Sequence, residues 1–493
     1  MSYPLIYEIN TRCWLHDLSV ACGTRCTLDQ VPDAELARWH QLGFTHIWLM
    51  GIWSVGAHSR RFCQKQDALV RAGTDLFLDS HAHELAGSPF AIAGYRVSRV
   101  VGGAEALARF RRRLADRGLG LLLDFIPNHT GLDHPWLAEN PGLYVSHPKR
   151  RPGTFPLIGA QGKRWIAHGR DPFFPPWGDT AQLDYRNPAT RAAVIGELQS
   201  VLSHCDGVRC DLAMLVLNEV FARTWAGFPT VHETSALEFW SEAMASVRRA
   251  HPGALLLAEV YWDMEVRLQD LGFDFTYDKP LYDGLVSAEV GAVRQHLGAL
   301  VPGCLARGVH FLENHDEVRI ASVLAGPEHR AAALLTLGLP GARLLHEGQL
   351  TGATRTVPVQ FQRRPPEPPE HEITSFYQHL LEALRTTAVG LGRGEWLPPK
   401  PAWPGNPTQA DFVLVQWQKE PADFDLVVVN WANHPSQCYA PLTVADLAER
   451  NWRMVDLLGD QAYERRGDDL ARDGLYLDVP ARGAQLFHFS PIA

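Results

Sequence analysis

At 493 residues the chain is longer than a single hydrophobic core organises, so one large domain and at least one smaller one are expected. With 46% hydrophobic and 20% charged residues it has the composition of an ordinary globular protein, and a net charge of −9 argues against a nucleic-acid backbone as its partner. No apolar run approaches the roughly 18 to 20 residues that span a bilayer, and the opening MSYPLIYEIN has no basic segment before an apolar one, so no membrane partner is expected and the location is read as cytoplasmic.

In chain order, short apolar runs alternate with longer stretches of helical period up to residue 392 or so. The runs read as strands are LIYEI (5–9), HIWLM (46–50), GLLLDF (120–125), DGVRCD (206–211), ALLLAE (254–259), FDFTY (273–277), VHFLEN (309–314) and ARLLHE (342–347). Between them, 102–118 and 235–251 carry apolar residues at helical spacing, with basic residues toward their C-terminal ends. Strand and helix in alternation imply parallel strands with helical crossovers, and eight strands close a barrel. The connections 51–101 and 130–188 are too long for simple loops, and long insertions at the C-terminal ends of strands shape the site of a barrel enzyme. Past GRGEWLPPKPAWPGNP the texture changes to alternating runs such as FVLVQW and LVVVNW, which predict a small all-β domain. The domains are therefore drawn as a barrel over 1–130 and 188–392, an insertion over 131–187, and a C-terminal β-sandwich over 393–493.

The eight cysteines are dispersed, several in strand-like apolar surroundings, as reduced core thiols are. Cys22 and Cys26 have half the spacing of a zinc site, but no second pair follows, so they are read as unligated. RFRRR (109–113) is read as the solvated face of a helix and HAHE (81–84) as a polar loop.

GVRCDLAML (207–215) sets Arg209 and Asp211 two positions apart in an apolar run. Side chains alternate faces along a strand, so if Val208 and Cys210 pack against the helices, Arg209 and Asp211 face the barrel axis at its C-terminal mouth. Three other runs end in the same way: LLLDFIPNHT offers Asp124, Asn128 and His129, LLLAEVYW offers Glu259, and FLENHDEVR offers Asn314, His315 and Asp316. An arginine beside several acids lowers one pKa, while apolar flanks such as Ala258 and Val260 raise that of Glu259, separating an acid from a base.

These four segments, in this order and spacing, resemble the four signature regions of the α-amylase superfamily of retaining α-glycosidases and transglycosylases. TAQLDYRNP (180–188) and GLPGARLLHEGQ (338–349) resemble two further segments of that family, so the resemblance extends along the whole chain. It implies a (β/α)8 barrel with a domain inserted after the third strand and a C-terminal β domain. It also implies Asp211 as nucleophile, Glu259 as general acid/base and Asp316 as the third acid, gripping sugar hydroxyls. Arg209 would orient Asp211, Asp124 would brace Arg209 from the neighbouring strand, and His129 and His315 would hydrogen-bond the sugar. SPFAIAGYR (88–96) resembles the segment whose aromatic stacks on the sugar, which points to Phe90. Tyr261 and Trp262, with DPFFPPW (171–177), are read as lining the cleft or packing the insertion.

Where many family members carry a Lys-His pair that contacts the leaving group and a structural calcium, this chain has Met214 and Leu215. Asn128 matches one calcium-ligand position, yet calcium takes a cage of several oxygens, so no required metal or cofactor is expected. The expected activity is retaining hydrolysis of short α-glucosides or malto-oligosaccharides, with glucosyl transfer or isomerisation on the same scaffold as the alternative. A non-catalytic binding barrel is a third reading, which the presence of all three acids disfavours.

Overall fold

Period-two alternation within short apolar runs decides which side chains a barrel keeps inside and which it presents to its helices. In the computed structural model of the chain, which describes residues 2–492 except 80, 160–161, 233–234, 301–302, 325 and 420–422, eight strands close on themselves. They are β1 (Leu5–Asn10), β2 (His46–Met50), β3 (Gly120–Phe125), β4 (Gly207–Cys210), β5 (Leu255–Ala258), β6 (Phe275–Tyr277), β7 (Gly308–Phe311) and β8 (Ala342–His346). Every neighbouring pair is parallel, and β8 returns to β1.

Ile6, Trp48, Leu122, Leu257, Phe311 and Leu344 meet in a buried cluster within the barrel, while their neighbours Leu5, Ile47, Leu121, Val208, Leu256 and Leu345 join a larger cluster with the surrounding helices. Full burial of a side chain of this size is worth about 1.5–3 kcal/mol, so a slip of one residue in any strand would forfeit several such contributions. Two strands, 46–50 and 120–125, match their apolar runs, the first extends one residue further, and the remaining five are shorter than the runs suggest. β4 stops at Cys210, β5 at Ala258 and β7 at Phe311, which leaves Asp211, Glu259 and Asp316 on loops just past the hydrogen-bonded ladder.

The crossover helices form where periodicity predicts them. Gly103–Ala115 and Phe239–Ala250 bury one apolar face each and end in arginines. Pro188–Ser203 starts on Asn187, whose side chain accepts from Ala189 N at 2.9 Å, with Pro188 in the first turn where its missing N–H costs nothing. RFRRR lies on a solvated helix face, where three of its four arginines form ion pairs: Arg109 with Asp29, Arg111 with Asp206 and Arg113 with Asp33.

Two insertions rise at the C-terminal end of the barrel. In the first, Trp53–Val55 pairs antiparallel with Ile92–Val97 around the helices Ala57–Cys63 and Asp67–Leu76. In the second, after β3, His129–Gly131 pairs antiparallel with Thr180–Gln182, and Ser146–His147, Gly162–Ala167 and Thr154–Gly159 make a three-stranded sheet.

From Arg393 onward the chain builds a six-stranded antiparallel sheet and a three-stranded one. Phe412, Leu414, Phe424, Leu426 and Val428 face the smaller sheet, whereas Val413, Val415, Trp417, Val427 and Val429 belong to the barrel's own outer core. Trp417 Nε1 donates to Gly338 O at 2.7 Å, on the barrel helix Gly326–Gly338. No described helix is long and apolar enough to cross a membrane.

Candidate active site

Arg209 is almost fully buried, at 1% exposure, so its charge requires partners. Nη1 donates to Asp211 Oδ1 at 2.7 Å, Nε donates to Tyr277 OH at 3.3 Å, and Nη2 lies 2.8 Å from Glu259 Oε2, an ion pair bent away from hydrogen-bonding geometry. The rings of Trp48, Phe90 and Tyr277 surround the guanidinium, with centroids 5.4, 5.5 and 5.7 Å from its carbon. One cation thus joins two of the three predicted acids. The outward neighbours Val208 and Cys210 sit in the core against the helices, as alternation requires.

After Asp211 the backbone turns sharply. Leu212 takes a left-handed conformation, φ 42°, and its N–H donates to Glu259 Oε2 at 2.6 Å. Such a conformation costs a β-carbon residue on the order of 1–3 kcal/mol, and here it aims a backbone donor at the second carboxylate. Glu259 Oε1 accepts from Tyr261 OH at 2.8 Å, so both carboxylate oxygens are engaged. Burial pushes the Glu259 carboxyl up to about 7, opposed by Arg209 and assisted by the acids Asp211 and Asp316. Burial also raises Asp211, against Arg209, which holds it down by charge and by a hydrogen bond.

Asp316 stands at the mouth with its side chain 46% exposed. His315 Nε2 lies 3.0 Å from its Oδ2, and His315 Nδ1 lies 2.5 Å from Glu8 Oε1. Desolvation opposes charge on both Asp316 and His315, but their mutual attraction prevails: Asp316 falls to about 2, and His315, facing Glu8 as well, rises well above the usual imidazole value. Phe90 stacks on the His315 ring, centroids 5.3 Å apart and planes 26° apart, and Trp48 meets it edge-on at 5.6 Å.

Asp124 lies opposite Arg209 in the β3–β4 register, yet its bonds go elsewhere. Oδ1 accepts from Trp48 Nε1 at 3.1 Å and Oδ2 from Gly51 N at 3.0 Å. No hydrogen bond or ion pair joins Asp124 to Arg209 among the described residues. It supports Arg209 by charge and through the Trp48 ring on which Arg209 rests, and burial, opposed by the Arg209 charge, lifts its carboxyl to about 6. Gly51 has φ +82°, and a β-carbon there would lie 3.1 Å from Pro89 Cβ, so the position suits glycine on both counts.

His129 is buried beside the cleft, its ring 5.1 Å from Trp177 and its Nδ1 3.3 Å from Asn128 Nδ2; burial lowers it to about 4, leaving a neutral imidazole at ordinary pH. Trp262 packs edge-on against the largely exposed Phe173 of the insertion at 5.0 Å, and both Trp262 and Asp263 have positive φ. The structure therefore gathers Asp211, Glu259, Arg209 and Tyr261 directly, and joins Asp316, His315 and Phe90 to them through Arg209 over the Phe90 ring. His129 and Asp124 stand beside and beneath this group.

Three buried contributors escape sequence reasoning: Glu8, Trp48 and Tyr277. The available signal was alternation, since Glu8 occupies an inward position of an otherwise apolar strand, but its partner His315 lies 307 residues away.

At the position where the resemblance implies calcium, Asn128 Oδ1 accepts from Gln182 Nε2 at 3.0 Å, and Met214 and Leu215 are buried in the apolar core. Among the described residues no group of three or more His, Cys, Asp or Glu side chains is placed to hold a metal ion.

An eight-stranded parallel barrel with acids past the ends of β4, β5 and β7, two of them clasped by a buried arginine, defines a class of barrel whose site lies at the C-terminal mouth. Comparison with known proteins names it. The alpha amylase catalytic-domain model matches residues 36–365, and the chain belongs to the α-amylase family. It is 22% identical over 290 residues to Alpha-amylase 3 of Dictyoglomus thermophilum, covering 55% of each chain. It is 23% identical over 348 residues to an alpha-glucosidase of Apis mellifera, covering 59% of each, and 26% identical over 263 residues to the 1,4-alpha-glucan branching enzyme GlgB of Leifsonia xyli, covering 52% of this chain and 28% of that relative. The chain thus spans little more than half, or less, of the length of these curated relatives. Among solved structures it resembles the maltogenic alpha-amylase AmyB from Thermotoga neapolitana, with a TM-score of 0.68, 18% identity and coverage of 99% and 98% of the two chains. An alpha-amylase from Lactobacillus plantarum gives a TM-score of 0.67 at 20% identity, with 98% of each chain covered. At these identities the structures speak for the fold.

Proposed function

We propose that the protein is a retaining α-glycoside hydrolase acting on short α-glucosides or malto-oligosaccharides through a covalent glycosyl ester on Asp211. The observation that carries this reading is the clasp of Asp211 and Glu259 on one guanidinium, with Glu259 lifted to about 7. Two carboxylates held on adjacent nitrogens suit the roughly 5 to 5.5 Å spacing of retaining enzymes better than the roughly 6.5–9.5 Å that leaves room for an inverting water.

In this mechanism protonated Glu259 donates its proton to the glycosidic oxygen while an Asp211 oxygen attacks the anomeric carbon. The C–O bond to the leaving group breaks as the glycosyl–Asp211 bond forms. Glu259, now ionised, takes a proton from water, whose oxygen attacks the same carbon and releases Asp211. Retention follows from two inversions. Asp316, kept ionised by His315, accepts hydrogen bonds from sugar hydroxyls and favours the positive charge that develops on the ring. Tyr261 and the Leu212 N–H hold Glu259 in place between its two tasks. Phe90, stacked on His315 at the cleft floor, offers the sugar an apolar face. No step requires a metal or other cofactor.

The second reading is glucosyl transfer or isomerisation, in which a sugar hydroxyl replaces water at the second step; branching enzymes and a maltosyltransferase among the relatives keep it in view. Incubation with maltose, maltotriose, isomaltose, sucrose, trehalose and soluble starch, followed by anomeric-proton NMR, tests both. α-Glucose appearing first from a short substrate supports the hydrolase. New α-linked oligosaccharides without net glucose release assign the transferase, and silence across the panel overturns both.

A further inference from the structure

A cavity of about 230 Å3 lies between the helix Thr11–Cys22 and the first insertion, outside the cleft described above. In a protein of net charge −9, its lining includes Arg12, Arg25 and Arg60 and, among the described residues, no aspartate or glutamate. The arginines are not neutralised by neighbours. Arg12 Nη1 donates to Gly87 O at 2.7 Å, and Arg25 Nη2 lies 3.3 Å from the carbonyls of Arg99 and Val100, so both are held by backbone dipoles alone. The Arg60 side chain has no hydrogen bond or ion pair among the described residues, and Arg12 and Arg60 act on each other as like charges.

The carboxylates on or against these helices are bonded elsewhere: Asp17 with Arg364 at 2.7 Å, Asp133 with the His58 N–H at 2.7 Å, and Asp179 with Ser59 Oγ at 2.5 Å. His16, also on the wall, has a buried Nδ1 without a hydrogen bond, 3.7 Å from Asp17 Oδ1. Guanidinium groups gathered without counter-charge are the chemistry that recognises phosphate. The cavity exceeds one phosphate group, and Trp53, Val55 and Val101 line part of it, so the remainder suits a compact organic body.

We propose that this cavity binds a small organic phosphate of sugar-phosphate size, with Arg60 and Arg12 gripping the phosphate. The pocket meets the catalytic cleft at Gly51 and Trp53, which donate to the carboxylate and to the carbonyl of Asp124, at 3.0 and 2.8 Å. A ligand there stabilises whichever arrangement of that junction it binds better. The proposal is independent of the reaction assigned above, because its test reads binding and not turnover.

Titration calorimetry of the full chain at fixed ionic strength, with glucose 6-phosphate, inorganic phosphate and glucose as probes, decides it. Glucose 6-phosphate is expected to bind one to one and more tightly than phosphate, and Arg60→Gln, an exposed position, to weaken it about tenfold or more. Arg472→Gln, in the C-terminal β domain and paired with Asp473, is expected to leave it unchanged. Absence of binding by both phosphates, or an affinity that Arg60→Gln and Arg12→Gln leave unaltered, overturns the site. Equal affinity for inorganic phosphate and glucose 6-phosphate overturns its assignment to an organic ligand.

Discussion

Glu259 is asked to hold a proton near neutral pH, and its surroundings explain how it can. Burial raises its pKa to about 7, while Tyr261 and Leu212 stabilise the anion that remains after proton transfer. The proposed mechanism needs Glu259 protonated and Asp211 ionised, so kcat/KM is expected to fall as pH rises through about 7 and to fall again at low pH as Asp211 gains a proton. A pH–rate profile checks both limbs. A hydroxyl that donates to a carboxylate favours the charged form, so Tyr261→Phe should move the alkaline limb upward. Glu259→Gln should reduce kcat by about 10²- to 10⁴-fold while leaving sugar binding measurable by calorimetry; undiminished turnover would remove Glu259 from its role. Arg209 and Asp211 were legible from alternation alone, since a charged pair of period two inside an apolar strand needs an inward site. Asp124 was legible as a buried acid, but not its partners: Trp48 and Gly51 come from a strand whose spacing to β3 no local pattern encodes. Glu8 shares this fate, because its role depends on His315, which only barrel closure brings near.

Turns decide the geometry at the scale of elements. β4 and β5 end one residue before Asp211 and Glu259, and the left-handed Leu212 swings the chain so that its N–H meets Glu259. Apolar runs overestimate these strands because burial continues past the last ladder bond, as at Glu259–Val260. Gly51 performs the corresponding turn after β2. Gly51→Ala combines a positive φ with a close approach to Pro89, and should destabilise the protein by about 1–2 kcal/mol while loosening Asp124. Thermal unfolding and kcat, measured together, check this; an unchanged midpoint would mean the turn relaxes freely. Within the barrel, Phe311→Ala should cost about 3–5 kcal/mol in denaturant unfolding, since the ring packs among Tyr277, Tyr282 and Val309 with no space for collapse. The small sheet of 146–167 was not legible, because its strands are mixed in polarity and interrupted by proline and glycine.

At the scale of the whole molecule, one core is shared by the barrel helices and the C-terminal sheet. The C-terminal sheet contributes Val413, Trp417, Val427 and Leu486 to the same cluster that holds the barrel helices, and Gly338 leaves no space for a side chain beneath Val427. Calorimetry should therefore show a single cooperative transition. A chain ending at residue 392 should be insoluble or unfolded, because the helix Gly326–Gly338 would expose a large apolar face. Two separate transitions would show the units to be independent. The change from helix-punctuated to purely alternating texture near residue 393 made this division visible in the sequence, whereas the shared core did not show there, because either face of an apolar strand reads alike.

The charges at the cleft have a further consequence. Arg209 is largely answered by Asp211, and His315 is shared between Glu8 and Asp316, which leaves Asp316 at the mouth with its side chain 46% exposed and its charge only partly met. Before any sugar arrives, the cleft is a mould lacking one positive charge. A glucose-shaped ring bearing an ammonium would complete that mould where glucose itself cannot, and its grip should slacken in acid, once the waiting carboxylate has found a proton instead.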